Sequence, residues 1–184
     1  LMRIARPFVE RYCRARGQFG LSSESHQIMY SLLPTSYLKL GGTVVLADRS
    51  KSFVSIRRDA VLEAFRDLFA TAGDEDQNAV RALSMAFTDY YVSGSVDAGY
   101  FDVPQVNFAT CEETIPVYGL PQGCSTSPTI EAVVLAYFHS RHTTTGSSAG
   151  SLPPVVSLGN HDDLVVAALP GHVDRITLPD CSRV

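Results

Sequence analysis

Residues 157–169 read SLGNHDDLVVAAL: two adjacent aspartates, Asp162 and Asp163, between the apolar pairs and runs Val155-Val156 and Leu164-Val165-Val166. Folding alone gives little reason to place paired carboxylates there. The apolar runs on either side predict strand, tight turn, strand over residues 155–169, with Gly159-Asn160 favouring the turn. The aspartates then stand at a hairpin tip, NHDD, where side chains are presented rather than buried. An Asp-Asp pair in a turn is most often turn chemistry alone, so its meaning depends on what the rest of the chain brings to it.

A second carboxylate stands in a comparable position. Gly41-Gly42 opens a β-branched, nearly all-apolar run from Thr43 to Ala47, the composition of a central strand, and Asp48 falls at its C-terminal end. If the two strands are neighbours in one sheet, Asp48 and Asp162 converge. Close carboxylates repel unless a cation or proton lies between them. Two Mg²⁺ ions, or Mn²⁺ in their place, would satisfy them and leave positions for phosphate oxygens.

The third polar stretch is YGLPQGCSTSPTIEA, residues 118–132. Gly119 and Gly123 permit close backbone approach to a ligand. Gln122 offers a donor and an acceptor. Ser125, Thr126 and Ser127 lead into a helix with Ser127 as cap, Pro128 at its first position and Glu131 in its first turn. The apolar positions Ile130, Val133, Val134, Tyr137 and Phe138 follow helical spacing.

Around these stretches the chain reads as α+β. Helices are expected over residues 3–16, kinked or started at Pro7 and closed by Gly17 and Gly20, over 24–33 with Pro34 as the stop, from Asp59 as cap to about Ala70, and over 79–91. One or two hairpins are expected within 92–119, and residues 142–154 form a flexible loop. The 184 residues suffice for one ordinary core, and 45% hydrophobic with 9% aromatic content places the chain among globular rather than disordered sequences. No apolar run reaches membrane-spanning length. The four cysteines are widely spaced and form no zinc pattern, which suits a reduced, intracellular protein. Residues 1–67 hold 11 Lys+Arg against 6 Asp+Glu, and the remainder 4 against 13. The basic part can face phosphates; a solvated arginine-rich helix face is the plain alternative.

In order, ADRSKSFVSI, YGLPQGCSTSPTI and HDDLVV resemble the A, B and C motifs of reverse transcriptases, closest to the non-LTR (LINE-type) retrotransposon branch. The upstream RARGQFGLSSESHQIMYSL resembles that branch's fingers segment. The likeness spans roughly Arg14 to Leu169. It implies a polymerase palm, an antiparallel sheet covered by helices, with partial helical fingers: residues 1–40 fingers, 41–170 palm, 171–184 an unassigned tail. It implies RNA-directed DNA polymerisation, with Asp48, Asp162 and Asp163 catalytic and Asp48, Asp162 and the Arg49 carbonyl holding two Mg²⁺. Phe53, five residues after Asp48, matches the bulky residue that excludes a 2′-hydroxyl, and Gln122 and Gly123 match the nucleotide pocket. Ser127, Pro128, Asn160 and His161 match template and primer positions, and Lys51 a frequent lysine. The implied partners are an RNA template, a DNA primer and dNTP, within a longer polyprotein located in the nucleus. The sequence departs from the family where Asn160 and His161 replace an aromatic residue and alanine, and where LSSES lacks the usual basic residues; no thumb is expected within the chain. Two other readings follow from the same residues: an RNA-dependent RNA polymerase, against which Phe53 argues, and a catalytically inactive remnant that at most binds nucleic acid.

Overall fold

Val165, Val166, Ala167 and Ala168 are each no more than 1 % exposed. They belong to β5 (Asp163–Ala168), the middle strand of a three-stranded antiparallel sheet whose other members are β1 (Thr43–Asp48) and β4 (Val155–Asn160), in the order β1-β5-β4. The computed structural model describes residues 2–49, 52–87, 105–107, 112–114, 119–120, 126–142 and 152–176. Among the described strands β1 lies at the sheet edge, not at its centre, and Leu46 is 65% exposed. An apolar run does not distinguish the middle strand from its neighbour when both have one covered face. A second antiparallel pair, β2 (Gln105–Asn107) with β3 (Glu112–Thr114), is the hairpin expected in that region.

The register of the main sheet runs from Thr43 opposite Ala168 to Asp48 opposite Asp163, and from Val155 opposite Ala168 to Asn160 opposite Asp163. Side chains alternate between faces along each strand. Ser157, Gly159 and Val166 therefore share one face, and Asp48, Leu46, Asp163 and Val165 share the other. The turn between β4 and β5 is His161-Asp162, two residues later than the expected Gly159-Asn160, which continue β4.

Each face is covered by helix. α7 (Ser127–His142) covers the Ser157 face, where Ser157 Oγ and His139 Nε2 are 2.7 Å apart. The opposite face meets a continuous helical run composed of α2 (Ser25–Gln27), a π-helical turn (Ile28–Leu32) and α3 (Leu33–Lys39). The stop expected at Pro34 does not occur, and the run continues to Lys39. Pro34 sits at the second position of α3, and the wider π turn just before it accommodates the missing N–H. Met29 and Tyr37 from this run are fully buried, and the Tyr37 hydroxyl donates to the Pro153 carbonyl at 2.7 Å.

The larger core lies between helices. α1 (Met2–Ala15) contributes Phe8, Val9 and Tyr12, and α5 (Arg58–Ala70) contributes Val61, Phe65 and Leu68. α6 (Gln77–Phe87) adds Leu83, and α7 adds Val133 and Tyr137. α1 passes through Pro7 and ends before Gly17, whose φ is 76°. α5 starts one residue before Asp59. The Asp59 carboxylate accepts from the Arg57 Nε–H and the Ala60 N–H, both at 2.9 Å, and so serves the first turn from inside it.

The arginines of α1 and the residues just after it are largely spent within the molecule. Arg11 pairs with Asp76, Arg14 with Glu24 at 2.7 Å and Arg16 with Asp67 at 2.9 Å, and the Arg16 guanidinium lies 3.8 Å over the Tyr12 ring. The Tyr12 hydroxyl donates to Asp67 at 2.8 Å, and burial together with that bond pushes its pKa far above the usual phenol range. The basic N-terminal part is thus a stitched helix face more than a free phosphate-binding one.

Leu68, on α5, is wholly buried in this core. Leu68→Ala is expected to lower unfolding stability by about 2–5 kcal/mol in a denaturant titration; a loss below about 1 kcal/mol would show that this core is not the main source of stability.

Candidate metal centre

The cross-strand pairing of β1 with β5 sets Asp48 directly opposite Asp163, and Asp162 is the second residue of the turn that precedes β5. The Arg49 N–H donates to the Asp162 carbonyl at 3.0 Å, extending the ladder one step past the strand ends. Three carboxylates from segments more than a hundred residues apart are thereby gathered. One oxygen from each of Asp48, Asp162 and Asp163 lies within 4.8 Å of the other two, and Asp48 is exposed while Asp162 is half-buried.

The three acids are not equivalent. Asp163 Oδ2 accepts a 2.5 Å hydrogen bond from the Tyr30 hydroxyl, which reaches it from the π-helical turn across the sheet face. Burial, and next the bond to Asp163, push the Tyr30 phenol up to about 12, so it remains a donor at neutral pH. Among the described residues no hydrogen bond reaches the carboxylates of Asp48 or Asp162. These two acids have the full complement of lone pairs free for a cation. Carboxylate oxygens of this kind are the ligand type that hard divalent cations such as Mg²⁺, Mn²⁺ or Ca²⁺ take.

The tip is held from behind. His161 is the one described non-glycine residue with positive φ, 53°. With positive φ at the first central residue alone, the turn follows the pattern in which glycine is usual at that place. The His161 Nδ1 lies 3.1 Å from Glu131 Oε2, and Glu131 is 0% exposed. The Glu131 bond raises the imidazole pKa, against burial, which lowers it. Glu131 Oε1 has no hydrogen-bond partner among the described residues. Glu131 was read from sequence as an acid of the helix N-terminus; α7 begins one residue earlier than expected, with Thr126 at the cap position, and Glu131 points into the protein.

The remaining expected residues fall at varied distances from the acids. Asn160 ends β4 opposite Asp163. The Arg49 guanidinium lies near Ser55 Oγ at 3.4 Å, with its Nη1 buried. Phe53, in α4 (Ser52–Ser55), is half-buried and packs against the helical core, and its carbonyl accepts from the Leu120 N–H at 2.7 Å. That bond fastens the segment after Asp48 to the one leading toward α7. Ser127 is buried at the first turn of α7, with Pro128 next to it. Gln122, Gly123 and Lys51 lie outside the described residues. Glu131 carried no functional signal in the sequence, and Gln18 and Tyr30 stood only inside the string RARGQFGLSSESHQIMYSL.

No family model matches the chain, and no curated protein matches it significantly. The fold and site define an α+β protein with an acidic cluster at the end of an antiparallel sheet, and no helix among the described residues is long and apolar enough to cross a membrane.

Three acids gathered this closely are expected to repel one another when no cation lies between them. Asp48→Asn is expected to raise the melting temperature in chelator at neutral pH by about 2 °C, the order for a screened repulsion of less than about 1 kcal/mol in a domain of this size. Added Mg²⁺ should then stabilise the parent more than the variant. A lower melting temperature for Asp48→Asn in chelator would mean that the acids do not repel and are held by other contacts.

Proposed function

We propose that the chain is the catalytic portion of an RNA-directed DNA polymerase, with the three-stranded sheet as its palm and residues 1–40 as part of its fingers. The observation that carries the reading is the convergence of Asp48, Asp162 and Asp163 within 4.8 Å. Motif-like strings at residues 47–56 and 161–166 have no local reason to share a site, yet the sheet register makes their acids neighbours. The segment leading into α7 is also bonded to the Asp48 side through Leu120 and Phe53.

In this reading Asp48 and Asp162 hold the divalent cations, with the Arg49 carbonyl beside them and Asp163 as a bonded neighbour. The cations, when bound, lower the pKa of the primer 3′-hydroxyl and stabilise charge on the leaving pyrophosphate. The chain's own residues supply placement. The β1–β5 ladder fixes the spacing of the acids, and Tyr30 holds Asp163 by one oxygen. By the resemblance, Phe53 would exclude a ribose 2′-hydroxyl and so favour dNTP over rNTP, the feature that argues against an RNA-dependent RNA polymerase. RNA template and DNA primer are the partners, and the nucleus is the place of action.

One observation favours the alternative of an inactive, nucleic-acid-binding remnant. At the position where the family carries a small residue, His161 is tied by its ring to Glu131.

Primer extension on an RNA template in Mg²⁺ separates these readings. The polymerase reading expects dNTP incorporation that Asp162→Asn reduces by at least about a thousandfold, roughly 4 kcal/mol of barrier, with the variant still folded. Phe53→Val is expected to admit rNTPs. Undiminished synthesis by Asp162→Asn, or rNTP preference in the parent, would overturn it.

A further inference from the structure

Gln18 is 2% exposed, a polar side chain taken almost wholly out of water. Burying a primary amide is unfavourable unless its donors and acceptors are used. Those of Gln18 are used chiefly on one target. Its Oε1 accepts from the His161 N–H at 3.1 Å and from the Gly20 N–H at 2.9 Å, and its Nε2 donates to the His161 carbonyl at 3.2 Å. One carboxamide therefore grips both polar groups of the His161 main chain from 143 residues away.

The backbone on either side docks with it. The Gly159 N–H donates to the Gly17 carbonyl at 2.7 Å, and the Phe19 N–H donates to the Gly159 carbonyl at 2.6 Å, so residues 17–19 run parallel to the outer edge of β4. The fit leaves no space for side chains at two places. A Cβ at Gly159 would lie 2.8 Å from Gln18 Nε2, and one at Gly20 would lie 2.9 Å from the His161 nitrogen.

What is gripped is the least favourable backbone in the hairpin. His161 has φ 53°, which L-residues avoid, and such conformations persist only where the surroundings over-determine them. The His161 carbonyl is part of the peptide that leads into Asp162. Rotation of that peptide would swing the Asp162 carboxylate away from Asp48. Gln18 restrains it from the main-chain side, while Glu131 restrains the His161 ring.

We propose that Gln18 is a positioning residue for the cation site: its carboxamide locks the His161–Asp162 peptide and thereby holds the Asp162 carboxylate beside Asp48. This rests on the reading of the three acids as a divalent-cation site. The side chain must be glutamine. Glutamate has the shape but no donor for the His161 carbonyl and would add a further negative charge. Methionine fills the volume and makes none of the bonds.

The test uses the whole chain with Mn²⁺ alone as probe, its binding followed by electron paramagnetic resonance. The parent is expected to bind, and Asp162→Asn to lose binding. Gln18→Met and Gln18→Glu are each expected to weaken Mn²⁺ binding by about tenfold or more, the usual effect of removing a group that orients a ligand. Val61→Ala, a core change in α5, lowers stability and is expected to leave Mn²⁺ affinity unchanged below its melting temperature. Mn²⁺ binding at parental affinity in both Gln18 variants, with Asp162→Asn still defective, would overturn the positioning role and leave the cation site standing. Failure of both Gln18 variants to fold while Val61→Ala folds would overturn it too, making Gln18 a residue of the fold rather than of the site. A parent that binds no Mn²⁺ would overturn the cation reading and the positioning role together.

Discussion

The register that sets Asp48 opposite Asp163, with Asp162 beside them, is the constraint around which the sheet end is organised. Like charges this close repel unless a cation or proton lies between them, and the strands bring together the main chains that carry them. The β1–β5 ladder fixes the main chain of Asp48 opposite that of Asp163 at the last rung. The Arg49 N–H bond to the Asp162 carbonyl and the support behind His161 fix the Asp162 main chain beside that rung. The hydrophobic burial of Val165 to Ala168 is thus coupled to the placement of charge. Apolar area stabilises the strand whose first residue completes the acidic cluster.

The two helical layers divide the labour. α7 packs on one face and brings Glu131 to the back of the turn, while residues 25–39 pack on the other and bring Tyr30 to Asp163. Both contacts place a polar group against the hairpin tip from an element that is otherwise held by apolar packing. The N-terminal segment contributes the third support through Gln18. Its charged residues are directed elsewhere: Arg11, Arg14 and Arg16 fasten α1 to the loop before α6, to the segment after it and to α5. Electrostatics in this part of the molecule serve packing, and the N-terminal segment's polar contact with the turn comes from an uncharged amide.

Much of the sheet was legible in the sequence because its signals are local. The apolar runs at 43–47 and 164–168 ended at aspartates, and strand ends are where a short polar side chain can leave a covered face. The convergence of Asp48 with Asp162 followed if those strands were neighbours, and they are. The turn itself was misplaced. Gly159-Asn160 is the stronger local turn signal, but Gly159 is needed where Gln18 approaches, and the turn falls on His161 against residue preference. Nothing local could reveal the bonds between residues 18 and 161, which lie 143 positions apart. Glu131 was misread for a similar reason: an acid near a helix N-terminus usually faces solvent, and only the packing of α7 against the hairpin turns it inward. The central place of β5 was hidden because β1 is equally apolar.

A crystal structure of the chain grown with Mn²⁺, with anomalous differences recorded at the manganese edge, tests the central claim most directly. The account predicts two manganese peaks about 3.5–4 Å apart, both in contact with carboxylate oxygens of Asp48 and Asp162. Saturating Mn²⁺ with no peak within reach of these two side chains would contradict it.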